Sequence, residues 1–255
     1  MAVITLTSAA GSPGVTTTAL GLALSWPRPV LLIEADPTGG SGILAGFFRG
    51  AREYESGLIE LALASASVAD ALAEVATPIE GSQVSLVPGT RSHRQAGALR
   101  DTWKPLAEAL HDLESTGQDV LVDAGRLGLV GSPEPLLAEA DLSLLLTRTT
   151  LPALSAVRSW ADSLHRRVLD WQQPGVMLVG EGTPYRAAEV ANVLERPVIA
   201  TIADDPESAA VFHRGATPPN HFDTGPLARS LRAAIEAIQL HIARHRSELL
   251  EVAPS

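Results

Sequence analysis

The sequence has 255 residues, 45% apolar and 19% charged, the balance of an ordinary globular chain long enough for one large α/β domain. Its formal net charge of −10 argues against DNA as a partner, because duplex binding needs several Lys or Arg side chains on phosphates. Cysteine is absent, which excludes disulfides and thiolate metal sites, and Lys104 is the single lysine. No apolar run is long enough for a transmembrane segment, and Met1 leads straight into a strand-like run rather than a signal peptide, so a cytoplasmic protein is expected.

The first strand is expected over Val3 to Thr7, and the first helix from Thr16 to about Ser25. Between them lies Ala9-Ala10-Gly11-Ser12-Pro13-Gly14-Val15-Thr16-Thr17, a stretch of small residues between a strand and a helix N-terminus. Small residues let backbone N–H groups curl around phosphate oxygens, and the helix dipole adds positive potential. The phosphate-loop pattern is G-x-x-x-x-G-K-[ST]. Here Ala9 stands at the first Gly and Val15 at the Lys, while Gly14 and Thr16 are kept. The loop is either a damaged nucleotide site or a structural relic of one.

Pro27 and Pro29 end the first helix, and Val30 to Ile33 reads as a buried parallel strand. It runs into Glu34-Ala35-Asp36-Pro37 and a Gly-rich loop to Gly42. Carboxylates just past a strand's C-terminal end lie where α/β sheets bind ligands, although Asp-Pro and Gly-Gly also make turns. Short helices are expected over Gly57 to Ala66 and Val68 to Ala76, a strand over Gln83 to Val87, and a basic loop at Arg91-Ser92-His93-Arg94. That loop is either solvated surface or a phosphate or partner contact. A helix interrupted at Lys104-Pro105 is expected over Gln95 to Ser115.

Gln118 to Val122 reads as another buried strand and places Asp123 at the sheet's C-terminal edge. An aspartate there holds Mg²⁺ in phosphoryl-transfer sites, or else simply makes a turn before Gly125. Strands follow at Asp141 to Thr147, Val176 to Val179 and Pro197 to Ile202, with helices at Leu151 to about Asp170 and Pro184 to Leu194. Asp204-Asp205-Pro206 caps a short helix to His213, residues 214–225 form a loop, and Pro226 to about Leu250 is a final helix. Its stripe of Leu227, Leu231, Ile235, Ile238 and Ile242 predicts a core-packing face. Strands alternating with helices argue for a doubly wound, mostly parallel sheet in a single domain over 1–255.

These landmarks resemble, in order, the MinD/ParA family of deviant P-loop ATPases over about Val3 to Gly215. Pro197 to Pro206, PVIATIADDP, resembles the family segment that cradles the nucleotide base. The family loop K-G-G-x-G-K-T-T, laid over Ala10 to Thr17, puts the signature Lys on Ala10 and the P-loop Lys on Val15, so both cations are missing. The resemblance implies nucleotide contacts from Gly11, Ser12, Gly14, Val15, Thr16, Thr17 and Asp204, Mg²⁺ held through Thr16 and Asp123, and a water-positioning role for Asp36. Glu34 replaces the first Asp of that pair, and Gly180 stands where an Asn often contacts the base. It further implies a homodimer binding ATP or ADP with Mg²⁺. With both lysines gone, a pseudo-ATPase scaffold is expected. The degenerate loop and the LVPG strand end resemble the TadZ/CpaE branch, which positions pilus or secretion machinery through protein partners. The competing reading is an active ParA-like ATPase partitioning DNA or another cargo, with Arg126 or Arg148 replacing the lysines.

Overall fold

The computed structural model describes residues 1–10, 13–113, 117–165 and 170–252. Eight strands form one sheet in the order β3-β4-β2-β5-β1-β6-β7-β8. They are β1 (Val3–Ser8), β2 (Val30–Glu34), β3 (Thr77–Pro78), β4 (Val84–Val87), β5 (Asp119–Arg126), β6 (Leu142–Arg148), β7 (Pro174–Val179) and β8 (Val198–Ile202). All neighbours are parallel except β3, which pairs antiparallel with β4 at the edge. Central strands such as β1 and β2 are buried at every position, which is why their sequences are continuous apolar runs rather than alternating ones. β3 has no strand-like sequence, and its Pro78, lacking an N–H, is suited to an edge.

The helices are α1 (Val15–Ser25), α2 (Leu58–Leu63), α3 (Val68–Val75), α4 (His93–Ala96), α5 (Trp103–Asp112), α6 (Glu134–Ala138), α7 (Leu151–His165), α8 (Ala187–Leu194), α9 (Pro206–Arg214) and α10 (Pro226–Val252). One face of the sheet, with Ile4, Leu6, Leu32 and Leu121, packs under α1, α9 and α10. On the other face Leu31, Ile33, Val120 and Val122 meet α2, α3 and α5, while Leu145, Val176 and Leu178 meet α7 and α8. The stripe Leu227, Leu231, Ile235, Ile238 and Ile242 of α10 is buried, as its spacing predicts.

Several element boundaries depart from expectation, and β5 runs on to Arg126 instead of ending at Val122. The helix predicted over Gln95 to Ser115 is two helices, because the chain turns at Arg100–Thr102 and not at Lys104-Pro105. Pro105 lies in the first turn of α5, where a helix needs no N–H from it. Ser115 lies outside the described residues. The α8 helix starts at Ala187 instead of Pro184, with Arg186 as its cap. The first insertion helix is six residues, shorter than the span Gly57 to Ala66. The helix expected as far as Asp170 is described to His165.

At the N-terminal edge of the sheet Asp119 is fully buried and acts as a hub. Its carboxylate accepts the Ala2 N–H at 2.8 Å, the Trp26 indole N–H at 2.8 Å and the Arg28 guanidinium at 2.6 Å. It thereby ties β1, the exit of α1 and β5 together. Replacing Asp119 by Ala leaves the buried Trp26 N–H and a strand amide without acceptors. Each such loss costs about 1–3 kcal/mol. Asp119→Ala is therefore expected to lower the unfolding free energy by that order, read as a lower urea midpoint with the slope unchanged.

Candidate functional site

Strand order reverses around β1, since the chain passes from β1 leftward to β2 and later from β5 across β1 to β6. In open α/β sheets ligands bind outside the carboxyl ends of the strands at such a point. The segment that leaves β1 there enters α1 through Gly14, which has φ +92°. This left-handed conformation is open to Gly at low cost. The first helical bond is Thr18 N–H to the Gly14 carbonyl, 2.8 Å. No side chain caps α1, so the amides of its first turn, at Val15, Thr16 and Thr17, have neither an intrahelical nor a side-chain cap acceptor, the condition under which helix starts bind anions. Gly11 and Ser12, the other expected loop contacts, lie outside the described residues.

Val15 is 8% exposed and belongs to the apolar core of the α1 face. Its backbone remains available to a ligand, but its side chain supports packing. Ala10 carries no charge either.

The carboxylates expected from the sequence converge beside this helix start. Asp123, in β5 three residues before its end, is 1% exposed and pairs in register with Glu34 on β2 and Leu6 on β1. Its Oδ1 accepts the Gly125 N–H at 3.0 Å, while its Oδ2 is buried without a hydrogen-bond partner. Burial pushes the Asp123 pKa up to about 7; the Thr16 hydroxyl draws it back down, the Asp36 and Glu34 charges raise it, and the Gly125 N–H lowers it. Asp36 is half-buried, and its Oδ1 accepts the Thr38 N–H at 2.8 Å. Its carboxylate lies against Gly125: a Cβ there would stand 2.3 Å from Asp36 Cγ. A side chain at 125 would displace Asp36 from the site.

Glu34 differs in kind. It is 3% exposed, and burial raises its pKa despite hydrogen bonds. Its Oε2 accepts a short bond from the Ser41 hydroxyl, and its Oε1 accepts the Ile43 N–H at 3.0 Å. Glu34 is therefore the anchor of the Gly-rich loop, a role that Asp, one methylene shorter, would not fill from the same backbone position. Ser41 escaped the sequence reading because a Ser among glycines carries no signal beyond that of a turn. Gly42 brings this loop against the Thr16 methyl, where a Cβ would sit at 3.3 Å.

Asp204 lies on the far side of the edge, after β8. It is half-exposed and holds Arg148 through two bonds, 2.7 and 3.3 Å. Arg148 is thus already paired with a carboxylate. Gly180 lets Asp204 approach, since a Cβ there would lie 3.2 Å from Asp204 Cβ. The basic loop is also partly used internally: Arg91 pairs with Glu60 at 3.0 Å and lies over the Tyr54 ring, while His93 and Arg94 begin α4.

The donor set fits Mg²⁺ accompanied by phosphate. Mg²⁺ keeps several waters and takes one or two protein oxygens plus phosphate oxygens. The orphaned Asp123 Oδ2 and the neighbouring Thr16 hydroxyl are such oxygens. Among the described residues no three His, Asp or Glu side chains form a metal-binding group of their own.

Compared with solved structures, the chain aligns with the cell division ATPase MinD of Pyrococcus furiosus at a TM-score of 0.73 and 18% identity, covering 93% of this chain and 98% of that one. MinD from Pyrococcus horikoshii complexed with Mg-ADP gives 0.71 and 16%, covering 93% and 95%. The MinC:MinD cell division protein complex of Aquifex aeolicus gives 0.73 and 15%, covering 94% and 96%. The chain has the MinD/ParA-type P-loop NTPase fold. No family model matches the sequence, and no curated protein matches it. Within this MinD/ParA-type fold, Thr16, Asp36, Asp123 and the α1 amides share one edge with the Asp204 loop.

The raised Asp123 pKa sets a pH dependence. A folded value of about 7 against the ordinary 3.8 means that between those limits the folded chain holds a proton that the unfolded chain has lost. Stability from this group is therefore fully present below about 4 and is lost as pH rises to about 7. In metal-free buffer, Asp123→Asn is expected to melt higher than the parent at pH 8. The gap should shrink as pH falls toward 4.

Proposed function

We propose that this chain is a MinD/ParA-like positioning or scaffold protein that binds Mg-ATP or Mg-ADP weakly and hydrolyses ATP very slowly or not at all. The observation that carries this reading is the packing of Val15 into the core, with Ala10 neutral, so that the loop itself holds a cation at neither lysine position of the family pattern. Phosphoryl transfer rests mainly on electrostatic stabilisation of the transferring group. Each charge-assisted bond from Lys to phosphate contributes about 1.5–3 kcal/mol, roughly ten- to hundredfold in affinity. The α1 amides would hold phosphate, and Asp36 would orient the attacking water. Thr16 and Asp123 would hold Mg²⁺, which would supply positive charge against that of the phosphates.

Equilibrium binding of Mg-ATP and Mg-ADP, paired with a turnover assay on the same sample, tests this. The expected result is weak binding and negligible turnover, insensitive to Asp36→Ala. Sustained turnover abolished by Asp36→Ala would instead establish a working ATPase of the ParA type.

The assembly we propose is a homodimer that docks protein partners of a surface or secretion apparatus, as the TadZ/CpaE-like features imply. Without a lysine at Ala10 to reach a partner's nucleotide, dimerisation rests on apolar and Arg contacts and does not require ATP. A stable interface buries about 1,200–2,000 Å² and is detectable in solution. Among the described residues no helix is long and apolar enough to cross a membrane. Light scattering at micromolar concentration is expected to give a dimer with and without Mg-ATP. A monomer under both conditions would refute it.

A further inference from the structure

Arg126 follows Gly125 and ends β5. Between Leu6 and Ser8 the β1–β5 ladder shifts register: Leu6 pairs with Asp123, but Ser8 pairs with Arg126. Three steps along β5 therefore match two along β1, which is a bulge. Gly125 supplies its left-handed residue, φ +62°. The Thr7 hydroxyl donates to the Gly125 carbonyl at 3.1 Å, and the Leu127 N–H donates to the Ser8 carbonyl at 2.9 Å, so the bulge is pinned on both sides.

The consequence concerns faces. Paired residues in a ladder share a face, and a one-residue shift moves a side chain to the other side of the sheet. Without the bulge, Arg126 would share the face of Ala124, which packs among α7 and α8. With it, Arg126 shares the face of Leu6 and Asp123, the face covered by α1. Leu127 and Ala9, the next residues along the two strands, both belong to the α7/α8 core, as this alternation requires. The bulge therefore sets Arg126 beside Ser8, directly before the loop that enters α1.

Arg126 is exposed and forms no ion pair among the described residues, although Asp36 touches the adjacent Gly125. Arg148, at the same edge, is held by Asp204. We infer that Arg126 is the phosphate-binding cation of this site, supplied from β5 of the same chain in place of the two lysines absent from the loop. Its ligand is the terminal phosphate of a nucleoside di- or triphosphate. A guanidinium suits this position because its fork of N–H donors matches phosphate oxygens bidentately and is never deprotonated.

This inference rests on the nucleotide-binding reading above, and the experiment separates the two. Isothermal titration with Mg-ATP, Mg-ADP and adenosine is made on the full chain, on Arg126→Ala and Arg126→Gln, and on Lys104→Ala, which removes the same charge from α5. Loss of the Arg126 contact is expected to weaken Mg-ATP about ten- to hundredfold. Adenosine binding, thermal melting and the Lys104→Ala affinity should be unchanged. Arg126→Gln replaces the alanine variant if the latter melts lower. Parental binding of Mg-ATP that both Arg126 variants retain overturns the role of Arg126 and leaves the nucleotide site standing. No Mg-ATP binding by the parent chain overturns both.

Discussion

The constraint on which this edge of the sheet depends is the crowding of three carboxylates, Glu34, Asp36 and Asp123, toward the carboxyl ends of two adjacent strands. Like charges this close cannot all remain ionised in a buried setting without a cation or a proton. The fold resolves the conflict differently for each. Glu34 is satisfied by Ser41 and backbone N–H groups, Asp36 stays half in water, and Asp123 is left with an orphaned oxygen and a pKa near 7. The unresolved part of the conflict is therefore concentrated on one atom, Asp123 Oδ2. An apolar residue of similar size would be cheaper to bury, since unpaired buried polar groups cost free energy.

From Glu34 the same interactions run outward into the rest of the molecule. The Ser41 and Ile43 bonds fix the loop that begins the π-helical turn Ile43–Phe47. That turn lies tightly against the end of α9: a Cβ on Gly46 would stand 2.4 Å from the His213 carbonyl, and one on Gly215 would stand 2.5 Å from the Phe47 carbonyl. Both approaches exclude any larger residue without backbone movement. The start of α9 is capped by Asp205, next to the Asp204–Arg148 pair. The Gly-rich loop and both ends of α9 are thus joined by hydrogen bonds and close backbone contacts.

Much of this was legible in the sequence, for identifiable reasons. Buried parallel strands are continuous apolar runs, so β1, β2, β5 and β6 declare themselves, and Asp36 and Asp123 follow because they end such runs. The α10 stripe is legible because a helix packed on one side repeats its apolar positions every three or four residues. β3 was hidden, since a two-residue edge pairing has no pattern. The break between α4 and α5 was misplaced because Pro105 marks a helix beginning as readily as an ending. The bulge at Gly125 was hidden for a deeper reason. A Gly after a strand reads as a turn, and only the pairing partner, 118 residues away in sequence, shows that the strand continues and that Arg126 has changed faces.

That change of face bears on how a phosphate loop can lose its lysines. A lysine at position 15 would have to leave the α1 core to reach a phosphate, whereas Val15 fills that core. Burying such a side chain contributes about 1.5–3 kcal/mol. The loop therefore gains packing where it loses charge, and the two changes are not independent: restoring Lys at 15 alone would remove core contacts as it added a cation. A cation delivered from the β5 bulge is free of that conflict, because Arg126 is exposed. On the proposed role of Arg126, binding and stability, opposed at position 15, are divided between α1 and β5.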